Sequence, residues 1–347
     1  MKLLDTLNID GVPSKRIELL QGDLTNIPSQ FGVDVLIVSA FPNDYIPTPS
    51  SLIGALHRKG LVVATLAIMK DRDLRKAYSC WLSRKISPTA KELRFKRILC
   101  FEPLVRGAPP QVVGDIFRAL TPILAEKPEI TSVAMPIVAA GDQGYPVSSI
   151  LGPLLDAAYH WMRKGLPLTV LRIVAHSEDQ AREAADEFSR AKIKLRVEST
   201  DSTDSSRELR GMDYDVFISY AHENRVEMEC LEENLRRVHP SVRIFLDRKE
   251  IDIGSPWQPE IFESLDCCSK VATLFSPDYL NSKVCKEEFN IAWVRSRNED
   301  ANIIFPIYVY SADLPTYMTY RSYIDCREGD DSKLAEAARR LTALLQN

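Results

Sequence analysis

Two kinds of apolar pattern alternate along the chain. Short runs rich in Val and Ile, namely RIELLQGD (16–23), DVLIVSA (34–40), RILCFE (97–102), SVAMPIVAA (132–140) and LTVLRIVAHS (168–177), predict strands buried on both faces. A second series follows: YDVFISYA (214–221), VRIFLD (242–247), KVATLFSP (270–277), NIIFPIYV (302–309) and SYIDC (322–326). Longer segments with helical periodicity lie between and after them: SSILGPLLDAAYHWMRKG, which stops at Gly165, then VEMECLEENLRRV and SKLAEAARRLTALLQ. Strand and helix in alternation predict α/β domains, the second with five strands in a parallel, doubly wound sheet. In such a sheet ligands collect at the carboxyl ends of the strands.

Between the two series apolar residues almost vanish in VESTDSTDSSRELRG (197–211), a solvated linker by composition. The chain of 347 residues is longer than one core comfortably supports. The expected division is therefore a first domain over 1–197, a linker over 198–210 and a second domain over 211–347.

A net charge of -4 gives no electrostatic reason to expect nucleic acid, and the Lys- and Arg-rich stretch from Arg72 to Arg97 reads as a solvated helical face. The seven cysteines are odd in number and have no CxxC spacing, so they read as reduced thiols. No HExxH pair or zinc-ligand spacing occurs, and no metal is expected. The longest apolar run, GLVVATLAIM (60–69), is too short to cross a bilayer, and MKLLDTLNID lacks the features of a signal peptide. A cytoplasmic protein that neither spans nor binds a membrane is the expectation.

The stretch NSKVCKEEFNIAW (281–293) holds the candidate chemistry. On a helical wheel Val284, Cys285, Phe289, Ile291, Ala292 and Trp293 form one apolar arc that contains Glu288, while Glu287 falls outside it among polar neighbours. Glu287 thus reads as solvated, and Glu288 as a carboxylate aimed at the interior or a cleft. A charge there costs several kcal/mol unless it is paired or solvated, which makes Glu288 a functional candidate. A rim glutamate bonded to a backbone amide or an arginine is the structural alternative. The strand ends SYAHEN, LDRKEIDIGSPW and SPDY would line a cleft beside it, with Tyr220, Trp257 and Tyr279 as aromatic walls. Aromatics with one carboxylate suit a ligand with flat rings and a ribose.

DYDVFISYAHEN, RIFLDRKEIDIGSPW and VATLFSPDYLNSKVCKEEF together resemble the successive motifs of a Toll/interleukin-1 receptor (TIR) domain, over about residues 211–347. The resemblance implies a flavodoxin-like fold. It also implies either cleavage of NAD at the nicotinamide–ribose bond by hydrolysis or cyclisation, or a non-enzymatic adaptor that assembles through TIR–TIR contacts. The family's W-C-x-x-E-like segment falls on V-C-K-E-E, which puts Glu288 at the catalytic position and Val284 at that of the tryptophan. Substrate contacts are then expected from Tyr220, Ala221, Asp247, Arg248, Trp257, Ser276, Tyr279 and Val284, with NAD+ as substrate and no cofactor. By the same resemblance such proteins serve innate immune or antiphage defence and act on self-association, which would order the loop 248–258 over the cleft.

QGDLTNIPSQFGVDVLIVSAF and AMPIVAAGDQGYP look like the opening and the phosphate loop of macro domains, α/β/α sandwiches that bind ADP-ribose. The resemblance puts Asp23 at the adenine-contacting aspartate. It puts Ala140, Gly141, Asp142, Gln143, Gly144 and Tyr145 at the diphosphate loop, whose backbone amides would donate to phosphate oxygens. The asparagines of the family's N-A-A-N fall on Val38 and Phe41, and PNDYIPTPSSLIGAL replaces the glycine-rich loop. These departures imply no ADP-ribosyl hydrolysis; the expectation is a macro-like domain that binds an ADP-ribose-like nucleotide or serves in assembly, with a strand-to-helix turn that holds no ligand as the structural alternative.

Overall fold

In the computed structural model the first strand is one the apolar runs above do not include, β1 (Lys2–Asn8), which pairs antiparallel with β2 (Arg16–Gln21). The structure describes residues 1–86, 93–103, 109–138, 145–201, 214–246, 265–298, 302–319 and 322–345. The chain divides into two compact units, Met1–Asp201 and Ser202–Asn347.

The first unit adds β3 (Val35–Ser39), β4 (Lys70–Leu74), β5 (Cys80–Ser83), β6 (Arg97–Phe101), β7 (Ser132–Pro136) and β8 (Val170–Ala175). They join one sheet in the order β1-β2-β8-β7-β3-β6-β5-β4. The five central strands are parallel, and antiparallel pairs close both edges. Val35 and Ile37 alternate with Leu36 and Val38, yet all four are fully buried, so both faces of β3 are covered. Leu36 and Val38 pack under the short helices Leu52–Arg58 and Val63–Ile68, through Ile53, Leu56 and Val63. Three longer helices, Pro109–Glu126, Val147–Lys164 and Glu178–Asp201, pack against one another in sequence. The second of these ends where the sequence predicts, at Gly165 with φ 120°, a conformation that suits a residue without a Cβ.

Two expectations change. Residues 70–83 form β4, a single helical turn and β5 rather than a helical face; Arg72 pairs with Glu126, Arg75 with Asp73, and Arg97, on β6, with Asp71. The buried partner strand β6 explains this, since a strand at that edge completes its ladder. The Glu178–Asp201 helix also runs into the expected linker, of which residues 202–210 lie outside the described residues.

The second unit has β9 (Tyr214–Ser219), β10 (Ile244–Leu246), β11 (Cys268–Phe275), β12 (Ile304–Tyr308) and β13 (Ile324–Asp325). All pairs are parallel, in the order β10-β9-β11-β12-β13. This is the flavodoxin-like order, whose strand sequence reverses beside the first strand of the unit. Helices Arg225–Val238 and Asp331–Leu345 pack together over Val216, Ile218, Ala272, Leu274 and Ile307. Fold class thus follows the alternation of patterns in both halves.

Candidate functional site

Three elements of the second unit meet at one hydroxyl. Ser219 is the last residue of β9 and is 1% exposed. Its Oγ donates to Glu288 Oε2 at 2.5 Å and lies 2.8 Å from the Tyr279 hydroxyl. A serine has one proton to give, so with that proton on Glu288 the tyrosine O–H donates in turn, and the chain runs Tyr279, Ser219, Glu288. The next turn is built by Ser276, which follows β11 and caps the helix Pro277–Asn281: its Oγ accepts from the Tyr279 N–H at 3.0 Å and donates to Asn224 Oδ1 at 2.5 Å.

Glu288 sits on the helix Lys283–Asn298 and is 2% exposed. Around it stand the ring pairs Phe275 with Tyr279 at 5.3 Å, Phe275 with Phe289 at 5.7 Å and Phe289 with Tyr317 at 5.7 Å. Burial pushes the Tyr279 hydroxyl well above its usual pKa, and the negative charge of Glu288 adds to that. The Cys285 thiol is likewise raised, first by burial and then by Glu288, so it is an inert core thiol. Thr273, in register with Ser219 on β11, buries an Oγ1 that has no hydrogen-bond partner among the described residues.

The wheel's separation of the two glutamates is corrected. Glu287 is 7% exposed and so is buried with Glu288. From Glu287 to Ser296 every residue of this helix is buried, and a helix without a solvent face has no polar side for a charge to take. Ser276 and Tyr279, expected as ligand contacts, are both fully buried and spend their polar atoms on the cap and on Ser219. Tyr220 and Val284 are half-buried and Ala221 is buried. Asp247, Arg248 and Trp257 lie outside the described residues. Ser219 and Asn224 were missed, although a serine closing an apolar strand is a signal that could have been followed.

In the first unit a cavity of about 860 Å³ opens at the carboxyl ends of β2, β3, β7 and β8. Asp23 lines it and is exposed, its Oδ1 accepting from the Thr25 N–H and Oγ1, each at 2.8 Å. Val38 is buried in the core, whereas Phe41 lines the cavity. Tyr145 is half-buried and does not line it, and residues 140–144 lie outside the described residues. Among the described residues no cluster of His, Cys, Asp and Glu could hold a metal, and no helix is long and apolar enough to cross a membrane.

Residues 216–342 match the family model described as TIR domain, and the second unit is a TIR domain. Among solved structures the chain is similar to the Oceanobacillus iheyensis macrodomain with ADP, at 16% identity and TM-score 0.42, over 55% of this chain and 97% of that one. It is similar to the Trypanosoma brucei macrodomain in complex with ADP, at 19% identity and TM-score 0.38, over 50% and 68%. It is also similar to the TIR domain of the Toll-related receptor TRR-2 from Hydra magnipapillata, at 21% identity and TM-score 0.31, over 39% and 99%. No curated protein matches the chain.

Proposed function

We propose that the protein is an NAD+ glycohydrolase or cyclase of the TIR type, with Glu288 as the catalytic carboxylate and a macro-like first unit that binds a nucleotide of the ADP-ribose type. The observation that carries this reading is the buried carboxylate of Glu288, 2.5 Å from Ser219 at the carboxyl end of a central strand. Breaking the nicotinamide–ribose bond releases a neutral leaving group and needs no general acid. Positive charge develops on the ribose, as in glycoside hydrolysis. A fixed carboxylate in a water-poor site stabilises that charge far more than it would in water. Tyr279 and Ser219 hold the carboxylate in one orientation, so little reorganisation accompanies the reaction.

With 2% of its surface exposed, Glu288 is closed to a ribose in this conformation, so the reading includes an activation step. Self-association through the TIR unit opens the carboxylate to substrate, and NAD depletion or a nucleotide signal then serves as an immune or antiphage output. The same burial supports a second reading, a non-enzymatic adaptor that uses the TIR unit only for assembly.

Nicotinamide release from NAD+ by the purified chain at rising concentration, beside Glu288→Ala, separates them. The enzyme reading expects concentration-dependent nicotinamide that the variant abolishes, with ADP-ribose or its cyclic form as the second product. A wild type silent at every concentration, or a folded variant as active as the wild type, overturns it.

A further inference from the structure

The first unit's cavity has a wall that fits a flat cation. Of the 23 described residues around it, 12 come from the single segment 41–59. That segment is fastened. Glu102, 1% exposed, accepts from both the Tyr45 hydroxyl and the Trp81 indole N–H on one oxygen, and from the Asn43 N–H at 3.2 Å on the other. Arg75 lies 3.7 Å from the same carboxylate and donates to Asn43 Oδ1 at 2.6 Å. The Tyr45 ring meets Trp81 edge-on at 5.9 Å. A buried carboxylate with this many donors fixes the turn it holds, and Asn43 stands at φ 57° to complete that turn.

The turn so fixed presents Phe41 and Asp44 together. The Asp44 N–H donates to the Phe41 carbonyl at 3.0 Å, and both residues line the cavity beside Ile46. Phe41 keeps 42% and Ile46 71% of its surface exposed, so both offer apolar surface at the cavity. Asp44 Oδ1 accepts from the Ile46 N–H at 3.1 Å, and no cation among the described residues pairs with its carboxylate. A ring face, an apolar wall and an anion in one rigid turn attract an aromatic ring that carries positive charge. The cavity volume of about 860 Å³ lies near the upper end of the usual range of about 300–1,000 Å³ for small-molecule pockets, which leaves room beyond a mononucleotide.

We propose that this cavity takes an intact oxidised pyridine dinucleotide, with the cationic pyridinium ring against Phe41, Ile46 and Asp44. This rests on the nucleotide-binding reading of the first unit and changes what it senses: the substrate of the TIR reaction rather than its product. The reduced dinucleotide has a neutral ring and ADP-ribose has none, so both lose the attraction that the turn supplies.

Calorimetry on the full chain tests this with three ligands: carba-NAD, whose ribose oxygen is replaced by a methylene so that the cationic ring stays attached, NADH, and ADP-ribose. The expected result is carba-NAD bound at least tenfold more tightly than the other two. Phe41→Ala and Asp44→Asn, both at exposed positions, should each erase that preference while leaving ADP-ribose affinity within twofold, which also assigns the heat to this cavity rather than to the TIR unit. ADP-ribose or NADH bound as tightly as carba-NAD, or a preference that survives both variants, overturns the inference and leaves nucleotide binding standing. No heat from any of the three overturns both.

Discussion

Ser219 Oγ and Glu288 Oε2 are 2.5 Å apart although 69 residues separate them in the chain, one ending a central strand and the other on a buried helix. The contact ties the sheet to the helix that carries the candidate carboxylate, and it supplies a hydrogen-bond donor to a side chain with 2% exposure.

Removing that donor separates positioning from binding. Ser219→Ala leaves Glu288 and the Tyr279 hydroxyl without the group that joins them, at a stability cost of about 1–3 kcal/mol for the polar groups left unsatisfied. If Glu288 acts on the ribose, kcat for nicotinamide release should fall about tenfold or more, roughly 1.4 kcal/mol of barrier, with KM nearly unchanged. Steady-state kinetics on the folded variant checks this, and an unchanged kcat would show that Ser219 serves packing alone.

Asp34 predicts a pH dependence of stability in the first unit. Burial raises its carboxyl, but hydrogen bonds from Lys96, the Thr131 N–H and Ser132, with the Lys96 charge, outweigh that and hold it below the usual carboxylate range. Because the folded pKa is depressed, the stabilisation is full above the unfolded value of about 3.9 and is lost as pH falls through the folded value. Asp34→Asn should therefore lower stability at neutral pH by roughly 1–2 kcal/mol, since an amide N–H meets donors where a carboxylate accepted them. The gap to wild type should begin to close below about pH 4 and vanish once pH is under the folded value, measured by denaturant titration at several pH values.

The elements that were legible in the sequence are those whose burial is uniform. DVLIVSA and KVATLFSP sit in the middle of their sheets, where continuous Val, Ile and Leu have no other use, and they became β3 and β11. β4 was not legible because an edge strand needs only one covered face: KDRDL carries four charges in five residues and pairs through its backbone, whereas β5 is buried throughout but only four residues long. At the site, Glu288 could be read from helical spacing, whereas the burial of Glu287 could not, since the wheel assumes a solvent side that this helix lacks. Glu102 escaped notice for a related reason: its donors, Tyr45 and Trp81, lie 57 and 21 residues away.

Glu18 and Arg172 form an ion pair across neighbouring parallel strands, Nε to Oε2 at 2.8 Å, each with a side chain 8% exposed. Arg172→Met should cost about 3–5 kcal/mol because it strands the Glu18 carboxylate away from water with only Arg16 beside it. The double variant Glu18→Leu with Arg172→Met should recover most of that loss, because two apolar side chains carry no desolvation penalty. Chemical denaturation of the two single variants and the double variant measures the coupling. A double variant as unstable as the sum of the singles would mean that the Arg172 hydrogen bond to the Gly32 carbonyl, at 3.1 Å, is the larger contribution.

Gly54 is where the cavity wall is least tolerant. A Cβ there would stand 1.8 Å from the Thr48 carbonyl oxygen, and since the obstacle is backbone rather than a flexible side-chain end, it cannot simply swing aside. Gly54 is in the first turn of the Leu52–Arg58 helix, where its N–H donates to Ser51 Oγ at 3.0 Å. Helix propensity alone would make alanine the better residue by about 1 kcal/mol. The steric term is larger and opposite in sign. Gly54→Ala should destabilise the first unit by about 1–3 kcal/mol, the usual cost of forcing extra volume into a packed site, and push residues 48–51 away from the helix. Those residues line the same cavity as Phe41 and Asp44, so the variant should also weaken the nucleotide binding proposed there. A thermal melt with calorimetry on one sample tests both effects, and an alanine variant as stable as the parent would show that the segment 48–51 yields freely.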